Sequence, residues 1–154
     1  MKTLLALAIL ASSSAMAAPV AKIVTSGGYT MRPTTTTLTV EANGTVNLET
    51  VIGSYEPNVK PEIKKVKVAK LNAGIVATLV KDVAEANNTK IVADDPEAPE
   101  CMDAPGVVYS AVKDGAMVEI GKKINCKAYN LDDYQGRTAM TILDSLRTLA
   151  YSAE

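Results

Sequence analysis

Residues 107–120 read VVYSAVKDGAMVEI, two apolar-rich runs on either side of Asp114-Gly115. Asp-Gly between such runs marks a two-residue hairpin turn, because both turn positions need positive φ, which Gly adopts freely and Asp tolerates. The turn sets Lys113 opposite Ala116 and, counting back, Tyr109 opposite Ile120. A second signal of this kind, Asn43-Gly44, lies between Leu38-Thr39-Val40 and Thr45-Val46-Asn47-Leu48. A two-residue turn there sets Thr39 opposite Leu48 and Glu41 opposite Val46. Two such hairpins make an antiparallel sheet the expected frame of the fold.

Working outward, residues 22–31 (KIVTSGGYTM) read as a strand interrupted by Gly27-Gly28, a pair that suggests a bulge or a close backbone approach. Residues 52–61 hold Gly53, Pro57 and Pro61 and read as a loop. Residues 64–68 (KKVKV) alternate apolar and basic side chains as a strand with a solvated face, and five lysines fall between positions 60 and 70. Lysines that block unwanted pairing at a sheet edge explain them, and a basic docking site is the sharper alternative. Within 71–88, Asn72 is a suitable N-cap, Ile75, Val76, Leu79, Val80 and Val83 recur at helical spacing, and Asn87-Asn88 ends the helix. Asp132-Asp133 can cap a last helix whose apolar face is Ala139, Ile142, Leu143, Leu146, Leu149 and Ala150, with Gly136 weakening only the first turn. After the Asp114-Gly115 hairpin, residues 125–129 can continue a strand. The order is β, ββ, β, α, ββ, α. The expected fold class is α+β: an antiparallel sheet of about five to six strands built from two hairpins, with two α-helices packed on one face.

Composition excludes much of chemistry. The 154 residues hold no His, so Ser-His-Asp and Cys-His catalysis, histidine-ligated zinc or haem and a histidine general base are all ruled out in this chain. Two Cys cannot supply the four thiolates of an all-cysteine zinc site or an iron–sulfur cluster. Sixteen basic side chains against seventeen acidic ones give no field for nucleic acid. Five acids between 94 and 103 lack the D-x-D-x-D-G spacing of a calcium loop and read as a solvated turn region. No P-loop or G-x-G-x-x-G is present. The expectation is therefore no catalytic residue, no metal site and no cofactor.

The first seventeen residues read as an address. Lys2 precedes the apolar run LLALAIL at 4–10, and the small-residue triplet Ala15-Met16-Ala17 follows. This is the pattern of a secretory signal peptide, cut after Ala17, which leaves 18–154 as a single α+β domain with no membrane span. Periplasm or medium is the expected location. Export places Cys101 and Cys126 in an oxidising compartment, where an even count implies a disulfide. Geometry agrees: counting along the Asp114-Gly115 hairpin brings Cys126 level with Asp103, two residues from Cys101, so the bridge closes the open end of that hairpin.

The mature chain opens with Ser26-Gly27-Gly28-Tyr29 in its first strand. A central helix follows, then Asp103 and Tyr109 before a Gly-turned hairpin, then a Leu-rich terminal helix. This order resembles the emfourin family, small bacterial inhibitors of thermolysin-type metalloproteases, over roughly 22–150. The chain departs from the family in its leader, its cysteine pair and an insertion-like Pro/Lys segment at 56–70. Only Ser26 to Tyr29 match the family's opening motif, and no inhibitory residue is carried over. The resemblance implies a secreted or periplasmic, non-catalytic protein whose partner is another protein, such as a secreted protease. The alternative is a structural or envelope-associated exported protein with no protease target.

Overall fold

The computed structural model describes residues 17–28, 31–86 and 90–151. The described chain runs β1 (Pro19–Ser26), β2 (Thr34–Glu41), β3 (Thr45–Ile52), β4 (Glu62–Lys70), α1 (Ala73–Glu85), β5 (Ile91–Ala93), β6 (Gly106–Lys113), β7 (Ala116–Ile124), β8 (Lys127–Leu131) and α2 (Tyr134–Tyr151). All eight strands form one antiparallel sheet in the order β4-β3-β2-β1-β6-β7-β8-β5. The fold is α+β, but the sheet has eight strands, not five to six. The two extra strands are β5, whose three residues are too short to show alternation, and β8. The turn before β8 is Asn125-Cys126, which adopts the positive φ of a type I′ turn (51° and 66°) without the glycine that signals one.

Asp114 and Gly115 take φ of 51° and 80°, and Lys113 pairs with Ala116 as expected. Beyond Ser110 the expected register slips, because a bulge sets Tyr109 opposite Gly121 and leaves Ile120 as the extra residue. Both Ile120 and Tyr109 are buried by this arrangement. The Asn43-Gly44 register is also one residue from expectation: Leu38 faces Leu48, Thr39 faces Asn47 and Val40 faces Val46. The loop has three residues, with only Gly44 at positive φ and its N–H bonded to the Glu41 carbonyl at 2.8 Å. That register is the one the core requires, because residues directly opposite share a face. Leu38, Val40, Val46 and Leu48 all point inward.

One sheet face carries the core. Ala21, Ile23, Leu38, Leu48, Val107, Tyr109 and Ala111 meet Leu79 and Val83 of α1 and Ala139, Met140, Leu143 and Leu146 of α2. The two helices also pack against each other. Asn72 caps α1, its Oδ1 accepting from the Gly74 N–H at 2.7 Å, and Asp133 receives the Gly136 N–H at the start of α2. α1 ends at Glu85, with Ala86 as its C-cap; Asn87 and Asn88 lie outside the described residues. Three residues expected on the apolar faces, Ile75, Val80 and Leu149, are exposed, because each helix buries a narrower stripe than its apolar sequence offers. Gly136 is buried, and a Cβ there would stand 2.4 Å from the Leu131 Cβ, so this glycine serves close packing of helix on strand.

Candidate functional site

The strand registers bring four connections to one end of the sheet. Ser26 pairs with Thr35 and Gly106, Ile52 pairs with Thr34 and Glu62, and Ile124 pairs with Lys127. Residues 27–28 and 31–33 therefore sit beside loops 53–61, 94–105 and 125–126. The Asn43-Gly44 and Asp114-Gly115 turns lie at the opposite end.

Specific contacts lock the loops together. The Gly53 N–H bonds the Pro33 carbonyl at 2.7 Å, and Arg32 Nε donates to the Gly53 carbonyl at 3.0 Å. β1 stops at Ser26, where Gly27 and Gly28 take φ of 78° and 81°, so the expected strand over 22–31 ends early. A Cβ on Gly28 would lie 3.1 Å from the Pro105 ring, so this loop presses on the residue just before β6. Tyr29, the fourth residue of the Ser26-Gly27-Gly28-Tyr29 motif, lies outside the described residues.

Cys101 and Cys126 are disulfide-bonded with a Cα–Cα distance of 5.5 Å, and the Cys101 N–H bonds the Asn125 carbonyl at 3.1 Å. The bridge ties the β7–β8 turn to loop 94–105, at the open end of the β6–β7 hairpin as the sequence count implies. Lys127 adds an ion pair with Glu100 at 3.2 Å.

Three large apolar side chains project from this locked rim. Met31 is 97% exposed, Met102 91% and Tyr55 73%. Methionine and tyrosine are side chains that interfaces favour over the rest of a protein surface. Four of the five non-glycine residues at positive φ among the described residues, Asn58, Asp103, Asn125 and Cys126, belong to these loops. Backbone held in sparsely populated conformations concentrates at ligand clamps and active sites. Sequence reading reached Ser26-Gly27-Gly28 and the cysteines but passed over Met31, Tyr55 and Met102. Each is a lone apolar residue in a polar loop until the topology sets the loops together.

A second polar constellation lies under α2. The Tyr109 hydroxyl donates to Asp144 Oδ1 at 2.6 Å, Lys123 Nζ reaches Asp144 Oδ2 at 2.8 Å, and Arg147 Nε reaches Oδ1 at 3.1 Å. Beside it Arg137 pairs with Asp94 at 2.9 Å, and the buried Asn130 amide donates to the same carboxylate. Burial alone would raise the Asp144 carboxyl, but the bonds from Lys123, Tyr109 and Arg147 outweigh it and hold the group at about 2. Burial and the Asp144 hydrogen bond push the Tyr109 hydroxyl well above its ordinary value. Neither group is placed to exchange a proton near neutral pH. The arrangement works as a polar rivet between β6, β7 and α2.

Among the described residues no group of acidic or cysteine side chains has the arrangement of a metal site, and no helix is long and apolar enough to cross a membrane. No family model and no curated protein matches the chain.

Proposed function

We propose that this is an exported, non-catalytic binding protein that docks on another protein through the rim of Met31, Tyr55 and Met102, and that the partner is an extracytoplasmic metalloprotease of the thermolysin type. The observation that carries the reading is the rim: three highly exposed apolar side chains on loops fixed by cross-loop hydrogen bonds and a disulfide. Binding a partner costs ordering free energy, and loops already ordered in the free protein avoid most of it. The emfourin-like motif order supplies the protease class, and Ser26 to Gly28 of that motif belong to this rim. The disulfide is compatible with an oxidising compartment. β1 begins at Pro19, so a leader cut after Ala17 leaves every described strand and helix intact.

The test is titration of the purified protein against thermolysin-type, serine and cysteine proteases with a quenched fluorescent peptide substrate. Stoichiometric loss of metalloprotease activity, abolished by Met31→Asp with Tyr55→Ala at unchanged melting temperature, is the expected result. Full activity of every protease at molar excess of this protein overturns the proposal.

A further inference from the structure

β4 closes one end of the sheet, and among the described residues its outer edge has no neighbouring strand. An unpaired edge of nine residues is a template for strand addition unless something blocks it. The pairings of β4 with β3 assign its faces. Lys64 and Val66 lie on the helix-side face, opposite Thr50 and Leu48. Ile63, Lys65 and Lys67 lie on the other, opposite Val51, Glu49 and Asn47. Pairing is regular from Glu62 to Lys67, and a bulge interrupts it only beyond, between Val46 and Asn47 of β3.

The helices pack mainly on β6, β7 and β8, away from this end of the sheet. A groove of about 610 Å³ is left open on the helix side, lined by Leu48, Ile52, Val66 and Val68 among others. Val66 and Ile63, one on each face, are both 56% exposed. On the other face a groove of about 450 Å³ is lined by Thr37, Thr39, Glu41, Glu49, Lys65 and Lys67 among others, the two acids lying on β2 and β3 and the lysines on the edge strand itself. The edge thus has two half-covered apolar side chains, room beside them, and five lysines between 60 and 70 against Glu62 alone.

Charge decides between occupants. A second copy pairing antiparallel through its own β4, centred on Lys64, Lys65 or Val66, would set lysine against lysine, which is destabilising across a strand pair. An acidic strand meets the opposite sign at Lys64, Lys65 and Lys67. The ion pairs Lys64–Glu62 and Lys65–Glu49 are solvent-exposed and hold these lysines only weakly.

We infer that β4 is a strand-addition site for an extended acidic segment of another protein, with the antiparallel pattern acid–apolar–acid–acid–apolar set opposite Lys67, Val66, Lys65, Lys64 and Ile63. Main-chain hydrogen bonds to the open edge supply affinity. The apolar residue beside Val66 enters the helix-side groove, and the acids meet the lysines. This surface is distinct from the loop rim, and its occupant need not be a protease.

The probe is a fluorescein-labelled peptide with the core Glu-Val-Glu-Glu-Val between Gly-Ser flanks, titrated into the full chain and read by fluorescence anisotropy. Two control peptides carry lysine for glutamate, or the same residues rearranged as Glu-Glu-Glu-Val-Val. The expected result is saturable binding that weakens as salt rises, with amide chemical-shift changes confined to 62–67 and the groove residues. The variant Lys65→Glu/Lys67→Glu, at exposed positions and with its melting temperature checked, should weaken binding by about tenfold or more. Absence of saturable binding, equal binding of either control, or binding undiminished in the double variant overturns the inference. So does self-association of the chain through β4 that the peptide fails to displace.

Discussion

Removing the carboxylate of Asp144 tests whether the rivet under α2 holds the two halves of the core together. In Asp144→Ala the Tyr109 hydroxyl, on a residue with no exposed surface, loses its acceptor. A buried donor left unsatisfied costs about 1–3 kcal/mol. Lys123 and Arg147 also lose their partner, but their side chains are 34% and 24% exposed and turn to water, so their share is about 1 kcal/mol. The expected loss is therefore about 2–4 kcal/mol, read as a lowered urea midpoint at neutral pH.

The decisive comparison is the double variant Asp144→Ala/Tyr109→Phe. Phe removes the orphaned hydroxyl while keeping the ring, so the double variant should be more stable than Asp144→Ala alone by about 1–2 kcal/mol. If Tyr109→Phe adds a further loss instead, the hydroxyl is not the group that suffers and the reasoning fails. Acid titration gives an independent reading. The Asp144 carboxyl is depressed from 3.8 to about 2 in the folded protein, so its contribution is fully present above 3.8 and is lost as pH falls through about 2. With a third of the side chain exposed, solvent screening reduces that contribution to about 1 kcal/mol. Wild type should show this acid-dependent slope and Asp144→Ala should lack it.

Three further substitutions probe the bridge, the backbone and packing. Cys126→Ser should lower stability by about 2–5 kcal/mol without changing the fold class, as should reductant on the wild type, while thiol labelling of non-reduced, denatured wild type finds no free thiol. Because Cys126 stands at φ 66° in a turn that favours glycine, Cys126→Gly should cost less than Cys126→Ser by up to about 1 kcal/mol in the same denaturation assay. Gly136→Ala should destabilise by about 1–3 kcal/mol, seen as a lower melting temperature, although alanine is the better helix former, because its Cβ collides with Leu131.

Most of the frame is legible in local signals that involve only neighbouring residues. The Asp114-Gly115 turn, the Asn72 cap and the Asp133 cap follow from short patterns, and the cysteine pairing follows from the even count and the register that the Asp114-Gly115 turn sets. What is not legible follows from longer range. The register at Asn43-Gly44 slipped because an Asn-Gly pair serves both two- and three-residue loops, and only the demand that Leu38 face Leu48 separates them. β8 is hidden behind a turn built from Asn125 and Cys126, and β5 takes its strand geometry from pairing with β8. The rim is the extreme case. Met31, Tyr55 and Met102 are far apart in sequence, and nothing local indicates that residues 31–33 adjoin loops 53–61 and 94–105. That depends on β1 pairing with β6, a contact that no turn signal announces.

The position of β1 has a consequence for how the chain folds. The first strand lies in the middle of the sheet, with β2 on one side and β6 on the other, and Ile23 pairs with both Leu38 and Tyr109. β1 to β4 form an up-and-down meander from neighbouring segments, a fast and local assembly. Its inner edge stays bare until β6 arrives, after the central helix and the acidic loop. Closing the β1–β6 seam is the non-local step that sets the folding rate, since loop-closure entropy is spent before that pairing stabilises anything. Until then the half-built sheet carries two open edges, β4 with four lysines along its length to discourage a wrong partner and β1 with Lys22 alone. The apolar run of β1 is the segment most exposed to misassembly while the second half of the chain is still unfolded.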